Sequence, residues 1–88
     1  EQKQIKASVL IAHGEKDVMV PPERVAAFQQ ALDAAGADWQ MVVYAGAKHG
    51  FTNAGASEYG IDGIAYDPKA DARSWALMQD FLAEVLTP

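Results

Sequence analysis

Residues 7–14 read Ala-Ser-Val-Leu-Ile-Ala-His-Gly, and the architecture of the chain follows from them. It is a short, nearly continuous apolar run with Val and Ile at its centre and a glycine at its end. A run this short, without polar alternation, has the habit of a strand buried on both faces. Such strands belong to parallel sheets, whose crossover helices cover both sides. The spacing predicts a strand over residues 7–13.

After this run, residues 14–22 (Gly-Glu-Lys-Asp-Val-Met-Val-Pro-Pro) read as a loop by their glycine and prolines. Pro22 suits the first turn of a helix, and Glu23 suits the positive end of its dipole. Val25, Phe28, Leu32 and Ala35 then fall at helical spacing and make one apolar stripe that stops at Gly36. Residues 39–44 predict a second strand, with Trp39, Met41 and Val43 on one face and Gln40, Val42 and Tyr44 on the other. A long glycine-containing segment runs from Ala45 to Tyr66, and loops of such length are often functional. Asp67 reads as an N-cap with Pro68 at the first helical position. The last helix then runs to about Leu86, with Trp75, Met78, Leu82 and Val85 on one face. Trp39 and Trp75 read most simply as core residues.

The element order is strand, helix, strand, helix: an α/β chain in which two parallel strands are joined by a crossover helix. Two strands cannot make a sheet covered on both faces. The sequence therefore implies partner strands from an upstream segment or from a second copy of the chain. The first residue is Glu1, not Met, which hints at a beginning inside a longer protein.

Composition excludes several classes of function. Half of the 88 residues are hydrophobic and 22% are charged, as in a globular domain. A net charge of −5 with seven basic residues argues against a nucleic-acid surface, which needs clustered Lys and Arg. The absence of cysteine excludes a disulfide framework, a thiolate metal site and a cysteine nucleophile within this chain. A reducing cytoplasm is the default compartment. No apolar run is long enough for a membrane span, and no signal-peptide pattern opens the chain. The two histidines and the acidic residues show no metal-ligand spacing, so neither a metal nor another cofactor is expected.

Asp17 falls just beyond the carboxyl end of the first strand, and His49 just beyond the carboxyl end of the second. Parallel α/β sheets bind ligands at that edge, so both side chains are delivered to the same rim. An acid and a histidine brought together there can act as orienter and general base. Each also has a plainer reading: Asp17 as a turn residue after a strand-ending glycine, His49 as a structural or exposed side chain. The order acid then histidine matches the α/β-hydrolase order of nucleophile, acid, histidine.

Residues 9–21 (Val-Leu-Ile-Ala-His-Gly-Glu-Lys-Asp-Val-Met-Val-Pro) resemble the acid-bearing strand and loop of α/β-hydrolases, with Asp17 at the acid position. Residues 42–51 (Val-Val-Tyr-Ala-Gly-Ala-Lys-His-Gly-Phe) resemble their histidine loop, with His49 at the histidine position. Residues 65–75 (Ala-Tyr-Asp-Pro-Lys-Ala-Asp-Ala-Arg-Ser-Trp) are similar to the dienelactone hydrolase family in particular. The resemblance covers essentially the whole chain. It implies that residues 1–88 are a partial domain, the C-terminal strand-helix-strand-helix portion of an α/β-hydrolase sheet. It further implies a parent enzyme hydrolysing small esters or lactones, with Asp17 and His49 as two members of a catalytic triad.

This chain departs from that family pattern at two points. The family's nucleophile stands on a Gly-x-Ser/Cys-x-Gly turn, and no such sequence occurs here. Ser57 lies among glycines but follows no strand, while Ser8 and Ser74 fall on a strand and a helix. The isolated chain is therefore expected to be inactive. Dienelactone hydrolases proper also resemble His-x-Phe-x-Arg after the histidine, the arginine gripping a substrate carboxylate; here Asn53 stands in its place. Phe51 could line a substrate pocket or pack beneath the loop. Tyr59 and Tyr66 could shape a pocket or stabilise the loop. His13 reads as a packed, hydrogen-bonded residue.

Two rival readings stand beside the esterase. The closing segments of prolyl oligopeptidase-type serine peptidases look similar, although the Tyr-Asp-Pro opening of the last helix favours the dienelactone hydrolases. A non-catalytic fragment that self-associates would also satisfy the doubly apolar first strand.

Overall fold

The computed structural model describes residues 4–87. In chain order they form β1 (Ser8–Gly14), α1 (Pro22–Ala34), β2 (Asp38–Tyr44), a short 3-10 turn (Ala56–Tyr59) and α2 (Pro68–Leu86). β1 and β2 pair in parallel, with Ser8 opposite Asp38 and Gly14 opposite Tyr44. The expected α/β order is therefore present, each element within two residues of its expected bounds.

Local chemistry accounts for the helix ends. α1 opens on Pro22 at its first turn, with Glu23 beside the unpaired N–H groups. It closes on Gly36, whose φ of 68° lets the N–H of Ala37 reach back to the carbonyl of Leu32 and its own N–H reach Asp33. α2 opens on Asp67, whose Oδ1 accepts the N–H groups of Lys69 at 3.1 Å and Ala70 at 3.0 Å.

The core sits where the end of β2, the histidine loop and the start of α2 meet. Tyr44, Ala47, Phe51 and Ala70 are buried there, with Val42 packed against them. The rings of Tyr44 and Phe51 are tilted at 47° with centroids 5.5 Å apart, a favourable aromatic pairing. On the opposite face of the sheet, Leu32 of α1 is buried and Gln29 reaches the sulfur of Met41.

Several residues expected in the core or on an apolar helix face are not buried. Trp75 is 57% exposed, and the faces of α2 that are covered carry Ala70 and Ser74 instead. Trp75 lines an open groove with Leu10, Ala12 and Met78, because a sheet of two strands gives that side of α2 nothing beyond β1 to pack on. Phe28 is 47% exposed on α1, while its stripe-mates Leu32 and Ala35 are buried. Trp39 is half-buried, with its indole N–H donating to Asp33 at 2.8 Å. Among the described residues, no helix is long and apolar enough to cross a membrane.

Candidate active site

Parallel pairing sets the site. Because Gly14 and Tyr44 are partners at the ends of β1 and β2, the loops that follow leave the sheet side by side. The ladder even continues past the strands: the N–H of Glu15 donates to Tyr44 at 3.0 Å, and that of Lys16 to Ala47 at 2.8 Å. Asp17 and His49, 32 residues apart in sequence, are thereby brought into contact.

His49 Nδ1 lies 3.0 Å from Asp17 Oδ2. The other carboxylate oxygen, Oδ1, accepts the backbone N–H of Met19 at 2.9 Å and of Val20 at 3.3 Å. An ionised carboxylate only accepts, so the proton of this contact belongs to Nδ1, and Nε2 is left as the basic nitrogen. The Asp17 side chain is 9% exposed and that of His49 45%, so the acid is sheltered and the imidazole open. Partial burial alone would raise the Asp17 carboxyl. The hydrogen bond from His49, the N–H groups of Met19 and Val20 and the nearby imidazole charge together outweigh it and hold the carboxyl below its ordinary value.

The backbone of His49 is fixed from the far end of the long loop. Its N–H donates to the carbonyl of Gly63 at 3.0 Å, and its carbonyl accepts from Ala65 at 3.3 Å, forming a single parallel bridge between His49 and Ile64. The loop is itself braced. Asn53 accepts the N–H of Gly55 and donates to the Tyr59 hydroxyl at 3.2 Å, and the Tyr66 hydroxyl donates to Asp71 at 2.8 Å. That last bond comes first among the causes that raise the Tyr66 phenol above its ordinary value. Both tyrosines thus stabilise the loop, as does Asn53 in the place where the family resemblance expects arginine.

A cavity of about 350 Å³ opens beside the pair, edged by Ala12, Gly14, Lys48, Phe51 and Thr52. Phe51 is only 6% exposed; most of its ring belongs to the core and its margin borders this cavity. The three serines are engaged elsewhere. Ser8 donates to Asp38, Ser57 accepts the N–H of Tyr66, and Ser74 is buried and donates to the carbonyl of Asp71. None of them borders the cavity at His49. His13 lies on the other face of β1, in a groove with Val25 and Val43, and makes no side-chain hydrogen bond among the described residues. It is packed there, as expected, but not hydrogen-bonded: Glu15, which shares the groove, gives its carboxylate to the N–H of Gly46, and Gln29 reaches Met41.

Gly14, Glu15 and Gly63 each meet the backbone of residues 46–49, and no sequence motif marks them for it. Gly14 read only as a strand stop. Nothing in a linear sequence shows that it touches Ala47.

A parallel strand pair that delivers an acid and a histidine in contact at its carboxyl edge defines an α/β-hydrolase fragment. The chain belongs to the dienelactone hydrolase family, whose sequence profile matches residues 1–86. It is 31% identical over 77 residues to an uncharacterised protein of Caenorhabditis elegans, covering 88% of this chain and 49% of that one. The crystal structure of a dienelactone hydrolase-like promiscuous phosphotriesterase, P91, from metagenomic libraries superposes with a TM-score of 0.87 and 38% identity. A structure named m3DLH superposes with a TM-score of 0.85 and 37% identity. Both alignments cover 92% of this chain and 34% of the solved one. The chain thus spans about half the length of the C. elegans relative and about a third of the solved structures.

Proposed function

We propose that this chain supplies the acid and the histidine of an enzyme that hydrolyses small carboxylic esters or lactones by acyl transfer. The observation that carries the proposal is the 3.0 Å contact between His49 Nδ1 and Asp17 Oδ2 beside an open cavity. In this reaction a serine or cysteine from another part of the protein attacks the acyl carbon. His49 Nε2 takes the nucleophile's proton and then passes it to the leaving alcohol or lactone oxygen. In the second half, Nε2 takes a proton from water, whose oxygen attacks the acyl-enzyme, and returns it to the nucleophile. Asp17 accepts the Nδ1–H throughout, fixing the tautomer and stabilising the imidazolium. The exposed face of α2 around Trp75 and the outer edges of the two strands, unpaired among the described residues, suit further elements of the same protein.

Phosphotriesters form a second substrate class, favoured by the 38% identity to a promiscuous phosphotriesterase of this family. The same base and orienter would serve attack on phosphorus.

The test is hydrolysis of chromogenic acetate, butyrate and phosphotriester substrates by the enzyme carrying this chain, with His49→Ala as the control. Ester turnover lost in that variant supports the proposal, and ester turnover unchanged by it overturns the assignment. The 88-residue chain alone is expected to show no turnover that depends on His49, since base and orienter have no nucleophile to activate.

A further inference from the structure

The turn that leads out of β2 keeps the N–H of Gly46 out of its closing bond. Tyr44 to Ala47 form a β-turn closed by the N–H of Ala47 on the carbonyl of Tyr44 at 3.2 Å, with Gly46 in third position at a φ of 74°. In such a turn the bond closes from first to fourth residue, and the N–H of the third takes no part in it. Here the carboxylate of Glu15 receives that N–H, with Oε1 2.8 Å from the Gly46 nitrogen.

The position of this bond gives it leverage. Glu15 stands two residues before Asp17, and Gly46 stands three before His49. Among the described residues, the bond from Gly46 to Glu15 and the bond between His49 and Asp17 are the two side-chain links between these loops. The first is charge-assisted, which makes it roughly twice as strong as a neutral bond of the same kind. The backbone bonds from Glu15 to Tyr44 and from Lys16 to Ala47 align the loops where they leave the sheet. The Glu15 carboxylate extends that alignment to the turn that aims the histidine.

We propose that Glu15 is a positioning residue: its carboxylate ties the Gly46 turn to the acid loop and so sets the distance at which His49 meets Asp17. The consequence for turnover rests on the reading of Asp17 and His49 as the catalytic pair; the geometric role does not.

Three variants separate reach from charge. Glu15→Ala removes the acceptor, Glu15→Asp keeps the charge but draws it back by one methylene, and Glu15→Gln keeps an oxygen at the same reach without the charge. Amide exchange at Gly46 and the NMR signal of the His49 Nδ1 proton are measured in each, together with kcat and KM for an ester substrate.

In Glu15→Ala and Glu15→Asp we expect faster exchange at Gly46, a broadened or lost Nδ1 proton signal, and kcat lower by roughly tenfold with KM within about twofold. Glu15→Gln is expected to restore the Gly46 protection, the proton signal and most of kcat. Unchanged exchange and an unchanged proton signal in Glu15→Ala would overturn the proposal. So would a Glu15→Gln variant that behaves like Glu15→Ala, because the carboxylate would then act by charge alone. If Glu15→Ala loses its fold, the contrast between Glu15→Asp and Glu15→Gln decides by the same readouts. Should His49→Ala leave ester turnover intact, the catalytic reading falls, while the Gly46 and Nδ1 signals still judge the role of Glu15.

Discussion

A methyl group on Gly14 would stand 2.6 Å from the carbonyl oxygen of Ala47 and 3.0 Å from that of Lys48. Both are backbone atoms of the loop that carries His49, so the absence of a side chain at position 14 is what lets the two loops lie together. Gly14→Ala is expected to displace the histidine loop and to cost about 1–3 kcal/mol of stability, the usual range for overpacking. Chemical denaturation measures the loss. Turnover should fall beyond what the unfolded fraction explains, because the His49 to Asp17 contact stretches with the loop.

Asp17→Asn tests the proposed orienter without changing its size. The amide can present an N–H to Nδ1 and so stabilise the tautomer with its proton on Nε2, which cannot act as a base. By the precedent of serine proteases, kcat for ester hydrolysis should drop roughly 10³- to 10⁴-fold. Steady-state kinetics on protein shown to be folded checks this. A drop of less than about threefold would exclude Asp17 as the orienter of the reaction.

The lowered Asp17 carboxyl has a consequence for acid stability. A group whose carboxyl is depressed in the folded state contributes stability that is fully present above its unfolded value. That contribution is lost as the pH falls below the ordinary value of 3.8 and through the depressed one. The native protein should therefore lose more stability between about pH 4 and pH 2 than Asp17→Asn does. Urea titrations of both across that range measure the difference. The Asp17 carboxyl carbon, followed by NMR, should titrate below 3.8.

Gly63 anchors the histidine from the other side. Its carbonyl accepts the His49 N–H, its φ is 85°, and an added methyl would meet Val18 Cγ2 at 2.5 Å. Gly63→Ala should cost about 1–2 kcal/mol for the backbone conformation alone, with a further contribution from the collision with Val18. Val18→Ala in the same chain should relieve the collision and leave the backbone cost. A double-mutant cycle on thermal or urea unfolding separates the two.

At the start of α2, Asp67→Ala removes the side chain that holds the N–H groups of Lys69 and Ala70. The expected loss is about 1 kcal/mol, and Asp67→Asn or Asp67→Ser should recover most of it. Thermal unfolding followed by circular dichroism is the measurement.

Element order, parallel pairing and the meeting of Asp17 with His49 at one edge are all legible in the sequence. Each follows from local information. The apolar run of β1 demands cover on both faces, Asp67-Pro68 and Gly36 mark helix boundaries by backbone chemistry, and a crossover helix makes the two strand ends coincide. The same local signals were silent on contacts between residues distant in the chain. Glu15 reads in sequence like any solvated carboxylate, and only the facing turn at Gly46 gives it a partner. Asn53 and Tyr59 gave no sign that they brace each other. Trp75 reads as core on helical spacing, yet it is exposed, because burial depends on which strands lie under a helix and not on the helix alone. These points belong to the packed chain, since a hydrogen bond or a buried face depends on two partners, and the distance between them is set by packing.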